Sequence, residues 1–503
     1  MKVLLINPYI TSDERYAKEK RDPMEPLGLL YLATYTNREI KKAKLNISIK
    51  ILDAQLEGKL PVKTNRGYRS GLSDAQIKEE LMEYKPDIVG IGSNYATTVM
   101  DSIELANFVK KICNCAIVLG GAHATVAHET LIKEKSIDAV VRGEGEETFF
   151  ELIKMFYKKK NFDKVGGITY KKNNKVKINL DRPLIKELDS LPIPDRSLIP
   201  YKEYLRKRLY FTTMQDPVAT LFSSRGCPYN CVFCSTHTVW RNKWRPRSPE
   251  NMLEEVEYLI KEYGIREFSF MDDQFMGDKE RIKKFCRIVI RKNLGVSFIV
   301  PPGISPALVD DEVINLMIKA GFYRICFSID VGTEAARNFV RKPVQLEKMR
   351  EMVKKANSKG LWTYAFFVMG YPYEKEKDIE ETVKYAYSLG LDFIRFYVAQ
   401  PYKGAELYDI YIKMGMLNEN EFEKKHHNMS DAIIGTKYIA PKRLERLRYL
   451  AENRYIYTYM LRLLNPFYFF KEFFPKISSY EKFKYFLRVV ISYTNAKKWL
   501  ENE

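Results

Sequence analysis

The stretch Cys227-Pro-Tyr-Asn-Cys231-Val-Phe-Cys234 brings three thiols into one short segment directly after a predicted strand. Three sulfur ligands do not complete a structural zinc site, because such a site needs four protein donors. A four-iron cluster also normally takes four thiolates, one for each iron. The segment therefore predicts a cluster with one iron left open for a substrate or cofactor.

The spacing also carries a family resemblance. Cys-x3-Cys-x2-Cys, with Phe233 directly before the last cysteine, resembles the signature of the radical S-adenosylmethionine (SAM) enzymes. The resemblance implies that Cys227, Cys231 and Cys234 hold a [4Fe–4S] cluster whose fourth iron is chelated by SAM. It also implies that the reduced cluster cleaves SAM to a 5′-deoxyadenosyl radical, and that Phe233 packs on the adenine.

Two other interpretations of these thiols stay open. His237 follows Cys234 closely and would complete a zinc site, which would fit a zinc-bearing nucleic-acid-binding protein. The second is a loop of unrelated thiols. The four remaining cysteines have no ligand spacing and are predicted to be buried small apolar residues; these are Cys113, Cys115, Cys286 and Cys326.

Composition limits the protein class. A chain of 503 residues is long enough for two or three domains, and 46% hydrophobic residues with 13% aromatics indicate a globular protein. Few cysteines, no secretory signal pattern and no long apolar run predict a cytoplasmic protein without a membrane span. The net charge of +19 favours acidic partners. The sequence has no common nucleic-acid-binding motif, so nucleic acid is not an expected partner.

Residues 1–165 alternate short apolar runs with helical patterns, which predicts a Rossmann-like, doubly wound parallel sheet. Glycines and polar residues follow three of the predicted strands, where ligands lie in such sheets. The candidate binding residues at these strand ends are Gly92, Ser93, Thr97, Gly120, Gly121, Gly143 and Glu144.

This region resembles the cobalamin-binding domain that precedes many radical SAM enzymes. The resemblance rests mainly on Asn7-Pro8, Pro26-Leu27-Gly28-Leu29, Lys85-Pro86-Asp87, Gly120-Gly121-Ala-His123 and Arg142-Gly-Glu-Gly. It implies that the candidate residues contact cobalamin. The Asp-x-His-x-x-Gly loop that supplies a lower cobalt ligand in other cobalamin proteins is missing. His123 is the first histidine of the chain, and we expect it to be a turn residue bonded to backbone.

Residues 166–215 read as a connector with a hairpin and a proline-rich linker, and residues 216–410 repeat strand and helix about six times. Six units are too few for a closed eight-stranded barrel. They match the open (β/α)6 barrel of the radical SAM core, so the expected fold is α/β throughout both domains.

In barrel enzymes the functional residues follow the strands. Asp272 follows the second predicted strand, Asp330 the fourth and Gly370 the fifth, while Lys342 is expected to open the helix after Asp330. The resemblance implies that Asp330 lies near the ribose or amino group of SAM and that the backbone at Gly370 receives the adenine. For Lys342 two interpretations stay open: contact with the carboxylate of SAM, or a solvated side chain. Asp272 is a candidate for orienting SAM.

Residues 411–503 are predicted to be helical, basic and aromatic, with fifteen Phe, Tyr and Trp between Tyr455 and Trp499. Two interpretations stay open. The region is either a helical cap on the barrel or an interfacial surface, in 455–499, at the periphery of a membrane.

The leading functional hypothesis is an enzyme that uses SAM, a [4Fe–4S] cluster and cobalamin to methylate, rearrange or cyclise a small-molecule or lipid substrate. The cyclising outcome is suggested by a resemblance to the anaerobic magnesium-protoporphyrin ester cyclases. The cluster would take its electron from a donor such as ferredoxin or flavodoxin. The alternative is a radical SAM oxidoreductase that no longer uses cobalamin.

Overall fold

The computed structural model describes residues 1–14, 24–56, 58, 61–206, 213–418 and 431–500, with side chains up to 491. The chain divides into two compact units. The first consists mainly of Met1–Lys207, and the second of Arg208–His237, Arg241–Leu417 and the described C-terminal residues. The boundaries expected at 165, 215 and 410 stay predictions.

The first unit contains two sheets. Their strands are β1 Lys2–Asn7, β2 Ile10–Ser12, β3 Ser48–Asp53, β4 Val62–Thr64, β5 Gly67–Ser70, β6 Ile88–Gly92, β7 Ala116–Gly120, β8 Ala139–Val141, β9 Ile168–Lys172 and β10 Lys175–Ile178. The main sheet has the order β10-β9-β8-β7-β6-β1-β3, and its strands from β8 to β3 are all parallel. The predicted hairpin forms as β9 and β10 and extends this sheet as antiparallel edge strands.

Helices cover the parallel strands. They are Leu27–Lys42, Asp74–Tyr84, Val99–Ile112, Ala122–Val126, His128–Leu131, Gly145–Tyr157 and Tyr201–Arg206. Short 3-10 turns occupy Ala96–Thr98, Leu188–Ser190 and Arg196–Leu198. Leu4, Ile6, Val89 and Val140 are all completely buried, because these strands have helices on both faces.

The second unit contains the predicted barrel. Its strands are β11 Val218–Leu221, β12 Ser224–Arg225, β13 Arg245–Pro246, β14 Glu267–Phe270, β15 Ser297–Ile299, β16 Arg324–Asp330, β17 Trp362–Met369 and β18 Phe393–Val398. β11-β14-β15 and β16-β17-β18 form two parallel sheets of three strands each, and β12 pairs with β13. Isolated parallel bridges Phe298–Phe322 and Ile304–Phe327 join the two barrel sheets, which gives a partial (β/α)6 barrel.

The helices after these strands are Thr236–Trp240, Pro249–Tyr263, Lys279–Lys292, Asp311–Ala320, Glu334–Val340, Leu346–Ser358, Glu376–Ser388 and Glu406–Lys413. Helices Pro441–Leu463, Pro466–Tyr468 and Tyr480–Leu500 follow, with 3-10 turns at Pro306–Leu308 and Phe474–Lys476 and a π-helical turn at Phe469–Phe473.

One sequence expectation about this region is wrong. Lys342 does not open a helix; it lies just after the helix Glu334–Val340, and the next helix begins at Leu346. Arg341 ends the first of these helices in the left-handed conformation, so the chain turns there. This turn brings Lys342 back toward the end of β16.

From Tyr455 onward the C-terminal helices pack against the end of the barrel where the strands begin. Phe473, Tyr485 and Val489 form one buried cluster with Tyr323, which precedes β16, and with Trp362, the first residue of β17. The rings of Trp362 and Phe486 stack with centroids 6.0 Å apart. The helical character expected for the C-terminal region is therefore present, and its inner face serves as a cap at the strand-start end.

An ion pair lies inside this cap. Lys476 Nζ donates to Asp392 Oδ2 at 2.5 Å and to Asn357 Oδ1 at 2.8 Å, and both charged side chains are completely buried. The hydroxyl and amide of Thr363 also donate to Asp392 Oδ2. The pair thus joins the C-terminal region to the starts of β17 and β18.

Replacing Lys476 by Met should lower the free energy of unfolding by about 3–5 kcal/mol, because Asp392 would stay buried without its cation. The double variant Lys476→Met, Asp392→Asn should lose less than the sum of the two single losses. Urea titrations followed by tryptophan fluorescence measure both values. A loss below about 1 kcal/mol for the single variant would show that the pair behaves as an exposed one.

Candidate functional site

The three-cysteine loop follows the first barrel strand, as expected for a barrel enzyme. Its anchor is Val232, which is 2% exposed. The amide of Val232 donates to the Val340 carbonyl at 3.2 Å, and its carbonyl accepts from the Leu407 amide at 2.8 Å. The guanidinium of Arg341 donates to the carbonyl of Asn230 at 3.1 Å. The loop is therefore tied to the segments that follow β16 and β18.

The three thiols of this loop are free and at least half-buried. Burial raises the pKa of Cys227 and of Cys231 to about 11, and it also raises the pKa of Cys234. Raised pKa values favour the protonated thiols, whereas bound iron would favour the thiolates, because a metal cation stabilises the negative charge. In the described part of the chain no three Cys, His, Asp or Glu side chains meet around a point that a single metal ion would occupy. A four-iron cluster takes its thiolates on separate irons, so three thiols on one loop fit a cluster that leaves one iron open.

The remaining cysteines mostly agree with the sequence prediction. Cys115, Cys286 and Cys326 are buried, whereas Cys113 is only partly buried. Phe233 is half-buried in the turn between Cys231 and Cys234.

Asp272 lies directly behind the loop and is completely buried. Its carboxylate accepts hydrogen bonds from the amide of Ser223 at 2.8 Å and from the hydroxyls of Ser223 and Ser224 at 2.5 Å each. These donors hold the chain that leads into the cysteine loop. The contacts of Asp272 are thus with the protein itself, and its contact with SAM stays a prediction.

Asp330 and Lys342 form an ion pair next to the cysteines. The ammonium of Lys342 bonds to Asp330, and both side chains are 13% exposed. Burial lowers the pKa of Lys342, but the charge of Asp330 and the neighbouring Cys231 outweigh it and raise that pKa overall. Asp330 ends β16 with a φ of 59°, a conformation that non-glycine residues adopt rarely. The predicted SAM-binding pair is therefore brought together here.

The segment after β17 is shaped by a buried carboxylate that the sequence analysis did not single out. Glu374 accepts from the amides of Gly370 at 2.6 Å and Tyr371 at 2.9 Å. The Gly370 carbonyl accepts from the Tyr411 hydroxyl at 3.2 Å. Gly370 has a φ of 88°, and a Cβ there would lie 2.4 Å from Leu444. Only glycine fits this turn, but both of its backbone polar groups already have protein partners.

Tyr371 is a second residue that the sequence analysis missed. It is completely buried, yet its hydroxyl has no hydrogen-bond partner among the described residues. Burial raises the pKa of this phenol, and the charges of Asp330 and Glu374 raise it further. A buried hydroxyl without a partner is costly, so it points to a group that a ligand would supply. In the sequence, its position directly after Gly370 could have identified Tyr371 as a candidate site residue.

The strand ends of the first unit carry the candidate cobalamin residues. The amide of Ser93 donates to the Gly120 carbonyl at 2.7 Å, so the loops after β6 and β7 are adjacent. Ser93 Oγ is buried and has no hydrogen-bond partner among the described residues. Gly121 has a φ of 123°, and a Cβ there would lie 2.4 Å from Asn94 Oδ1. The unused hydroxyl fits a polar ligand at this edge.

The other candidates at this edge have varied surroundings. Thr97 is half-buried in the 3-10 turn, and the Gly143 amide donates to Thr125 Oγ1 at 2.9 Å. The carboxylate of Glu144 accepts from the Ile185 amide at 2.7 Å, which fixes the chain after the hairpin. His123 is buried in the helix that starts after Gly121. The roles of these residues toward cobalamin stay predictions.

Comparison with known proteins assigns both units. Residues 221–386 match the model of the radical SAM superfamily, and residues 21–153 match that of the B12 binding domain. An uncharacterized methyltransferase of Pyrococcus horikoshii is 30% identical over 449 residues, which cover 89% of this chain and 90% of that protein. The cytidylyl-2-hydroxyethylphosphonate methyltransferase of Streptomyces wedmorensis is 31% identical over 457 residues, 84% of this chain and 83% of that protein.

A solved structure has the same fold. The radical SAM methyltransferase TsrM from Kitasatospora setae superposes with a TM-score of 0.67 at 17% identity, covering 83% of this chain and 77% of that one. The chain therefore belongs to the radical SAM enzymes that carry a cobalamin-binding domain. It is an enzyme, and its cofactors are a [4Fe–4S] cluster, SAM and cobalamin.

The buried Glu374 generates a prediction about pH. Burial raises its pKa from 4.5 to about 7, so the folded protein keeps a proton that the unfolded chain releases. Stability should therefore fall as the pH rises from about 4.5 to about 7. In Glu374→Gln this fall should be smaller, because the amide does not ionise. Melting temperatures between pH 5 and 8 measure it, and equal slopes in both proteins would contradict the assignment.

Proposed function

We propose that this protein is a cobalamin-dependent radical SAM methyltransferase that transfers a methyl group from SAM to a carbon atom of a small-molecule or lipid substrate. The observation that carries the proposal is the agreement of the two relatives that are at least 30% identical over more than four fifths of both chains. Both are named as methyltransferases. Methyl transfer is therefore favoured over cyclisation or another redox outcome.

The proposed cluster ligands are Cys227, Cys231 and Cys234. When bound, the reduced cluster supplies the electron that splits SAM, and cobalamin supplies a carrier for the methyl group. The protein holds the three thiols on one loop, and Val232 and Asp272 restrict its movement. The net charge of +19 favours an acidic electron donor of the ferredoxin or flavodoxin kind.

The proposed SAM site lies beside this loop. The ammonium of Lys342 would attract the carboxylate of SAM, while Asp330 would accept from its amino group or ribose. Phe233 would pack on the adenine, near the turn at Gly370. Tyr371 would donate its unused hydroxyl to SAM or to the substrate. Because all these groups are at least partly buried, they would also exclude water from the reacting atoms.

The proposed cobalamin site is the strand-end edge of the first unit. Ser93 and Thr97 offer hydroxyls there, while Gly92, Gly120 and Gly121 allow a large ligand to approach the backbone. Gly143 and Glu144 would border the same edge. The chain lacks the Asp-x-His-x-x-Gly loop whose histidine ligates cobalt in other cobalamin proteins, so that loop would supply no ligand to cobalamin here.

Replacing Cys227 by Ala should abolish both cluster binding and SAM cleavage, since one iron would lose its thiolate. Anaerobically reconstituted protein is assayed for iron, sulfide, the electron paramagnetic signal of the reduced cluster and released 5′-deoxyadenosine. Cys286→Ala is the matched control, because that buried cysteine lies in the helix Lys279–Lys292. A Cys227 variant with a full cluster would refute the ligand assignment.

Replacing Tyr371 by Phe should weaken SAM binding by about tenfold and leave the iron content unchanged, because only the unpaired hydroxyl is removed. Equilibrium dialysis with radiolabelled SAM measures the affinity for SAM, and iron analysis measures the iron content. Unchanged SAM affinity would mean that the hydroxyl serves the substrate or no ligand at all.

Methyl transfer itself is tested with SAM whose methyl group carries deuterium. The holoenzyme is incubated with small-molecule and lipid extracts of cells, and products are analysed by mass spectrometry. A deuterated methyl group on a new carbon–carbon bond supports the proposal. A product with 5′-deoxyadenosine release and no label would instead indicate cyclisation or another oxidation.

A further inference from the structure

Exposed apolar side chains are concentrated at the C-terminal end of the described chain. Of twenty exposed large hydrophobic side chains in the described residues, twelve lie between 457 and 491. Single exposed apolar side chains scattered over a protein surface are normal. A concentration of them within one segment marks an interaction surface. We call this set the outer aromatic surface; it consists of Tyr457, Met460, Leu461, Leu464, Phe467, Phe470, Phe474, Tyr480, Phe483, Leu487, Val490 and Ile491.

These positions follow helical spacing. Tyr457, Met460, Leu461 and Leu464 recur at three- and four-residue intervals at the end of the helix Pro441–Leu463. The positions from 480 to 491 do the same on the helix Tyr480–Leu500. Residues on the opposite sides, such as Tyr459 and Tyr485, are buried toward the barrel. Each helix therefore buries one side in the cap and leaves an apolar side exposed.

The charge around this surface is positive. Between residues 454 and 491, leaving out Lys476, which is buried in the cap, the chain has six Lys and Arg against two Asp and Glu, a net charge of +4. Some of the lysines lie beside the exposed rings: Lys471 Nζ is 4.8 Å from the ring centre of Phe467, and Lys484 Nζ is 5.7 Å from that of Tyr480. Two copies of such a surface would repel each other. An anionic partner would be attracted.

We propose that the outer aromatic surface binds the surface of an anionic lipid bilayer. Exposed rings and leucines would enter the boundary between headgroups and acyl chains, while the lysines would contact the phosphates. The contact is peripheral, and no helix in the described chain has the length and apolar character needed to cross a bilayer. Exposed aromatic residues with basic neighbours and helical spacing are the composition that such interfacial helices use.

The position of this surface separates it from the chemistry. The C-terminal residues from Tyr455 onward, which bear this surface, pack where the barrel strands begin, whereas the cysteine loop follows a strand end. The lipid surface therefore holds the barrel to the bilayer without forming the entrance to the site. Lipid binding and SAM cleavage should then be independent, so failure of this inference and failure of the proposed function are distinguishable.

The test uses the full-length holoenzyme and sedimentation with vesicles. One set contains phosphatidylglycerol in phosphatidylcholine, and the other phosphatidylcholine alone. The protein should bind the anionic vesicles, and binding should weaken as salt is added. Phe467→Glu, Phe470→Glu should bind about 100-fold more weakly, since two rings that the bilayer would bury are replaced by carboxylates. Leu180→Glu is the matched control, because Leu180 is 89% exposed in the first unit, and its binding should be unchanged.

Three outcomes would overturn the inference: no vesicle binding, equal binding to neutral vesicles, or equal loss of binding in the Leu180 control. A concentration-dependent dimer that the double substitution dissociates, without vesicle binding, would assign the surface to a second copy of the chain instead. Release of 5′-deoxyadenosine should be the same in all variants. This equality shows that the variants are folded and loaded with cofactor.

Discussion

The proposed chemistry of this enzyme depends on holding three thiols in one fixed arrangement after a short strand. Proteins restrict such a loop by satisfying its backbone polar groups inside the fold. Here Val232 does so through hydrogen bonds to Val340 and Leu407, and Asp272 does so from behind through Ser223 and Ser224. Residues more than 100 positions apart along the chain therefore share the task of fixing one loop.

The buried polar groups near this loop are stabilised in two different ways. Asp330 and Lys342 neutralise each other, and Glu374 is satisfied by two backbone amides. Tyr371 is satisfied by neither means, although it is completely buried. A protein tolerates an unpaired buried hydroxyl when a ligand completes it. The contrast between these residues separates the groups that build the site from those still available to a ligand.

The C-terminal region illustrates how one segment carries two kinds of apolar surface. The inward side chains, including Phe473 and Tyr485, stabilise the starts of the barrel strands, and the buried Lys476–Asp392 pair fixes their position. The outward side chains, such as Phe467 and Phe470, stay largely exposed. Aromatic content by itself therefore fitted both interpretations, the cap and the interfacial surface, and burial distinguishes the residues that form the cap from those that stay exposed.

Much of the fold and part of the site followed from local sequence patterns. The alternation of apolar strands and helices, the six barrel units and the three-cysteine spacing depend on neighbours along the chain, so they were readable from the sequence. The positions of Lys342 and Glu374 were not readable, because each depends on a turn that brings distant backbone together: the left-handed Arg341 for one, the glycine turn at Gly370 for the other. The unpaired hydroxyl of Tyr371 is likewise a property of tertiary packing, since a missing partner has no signature in the chain itself.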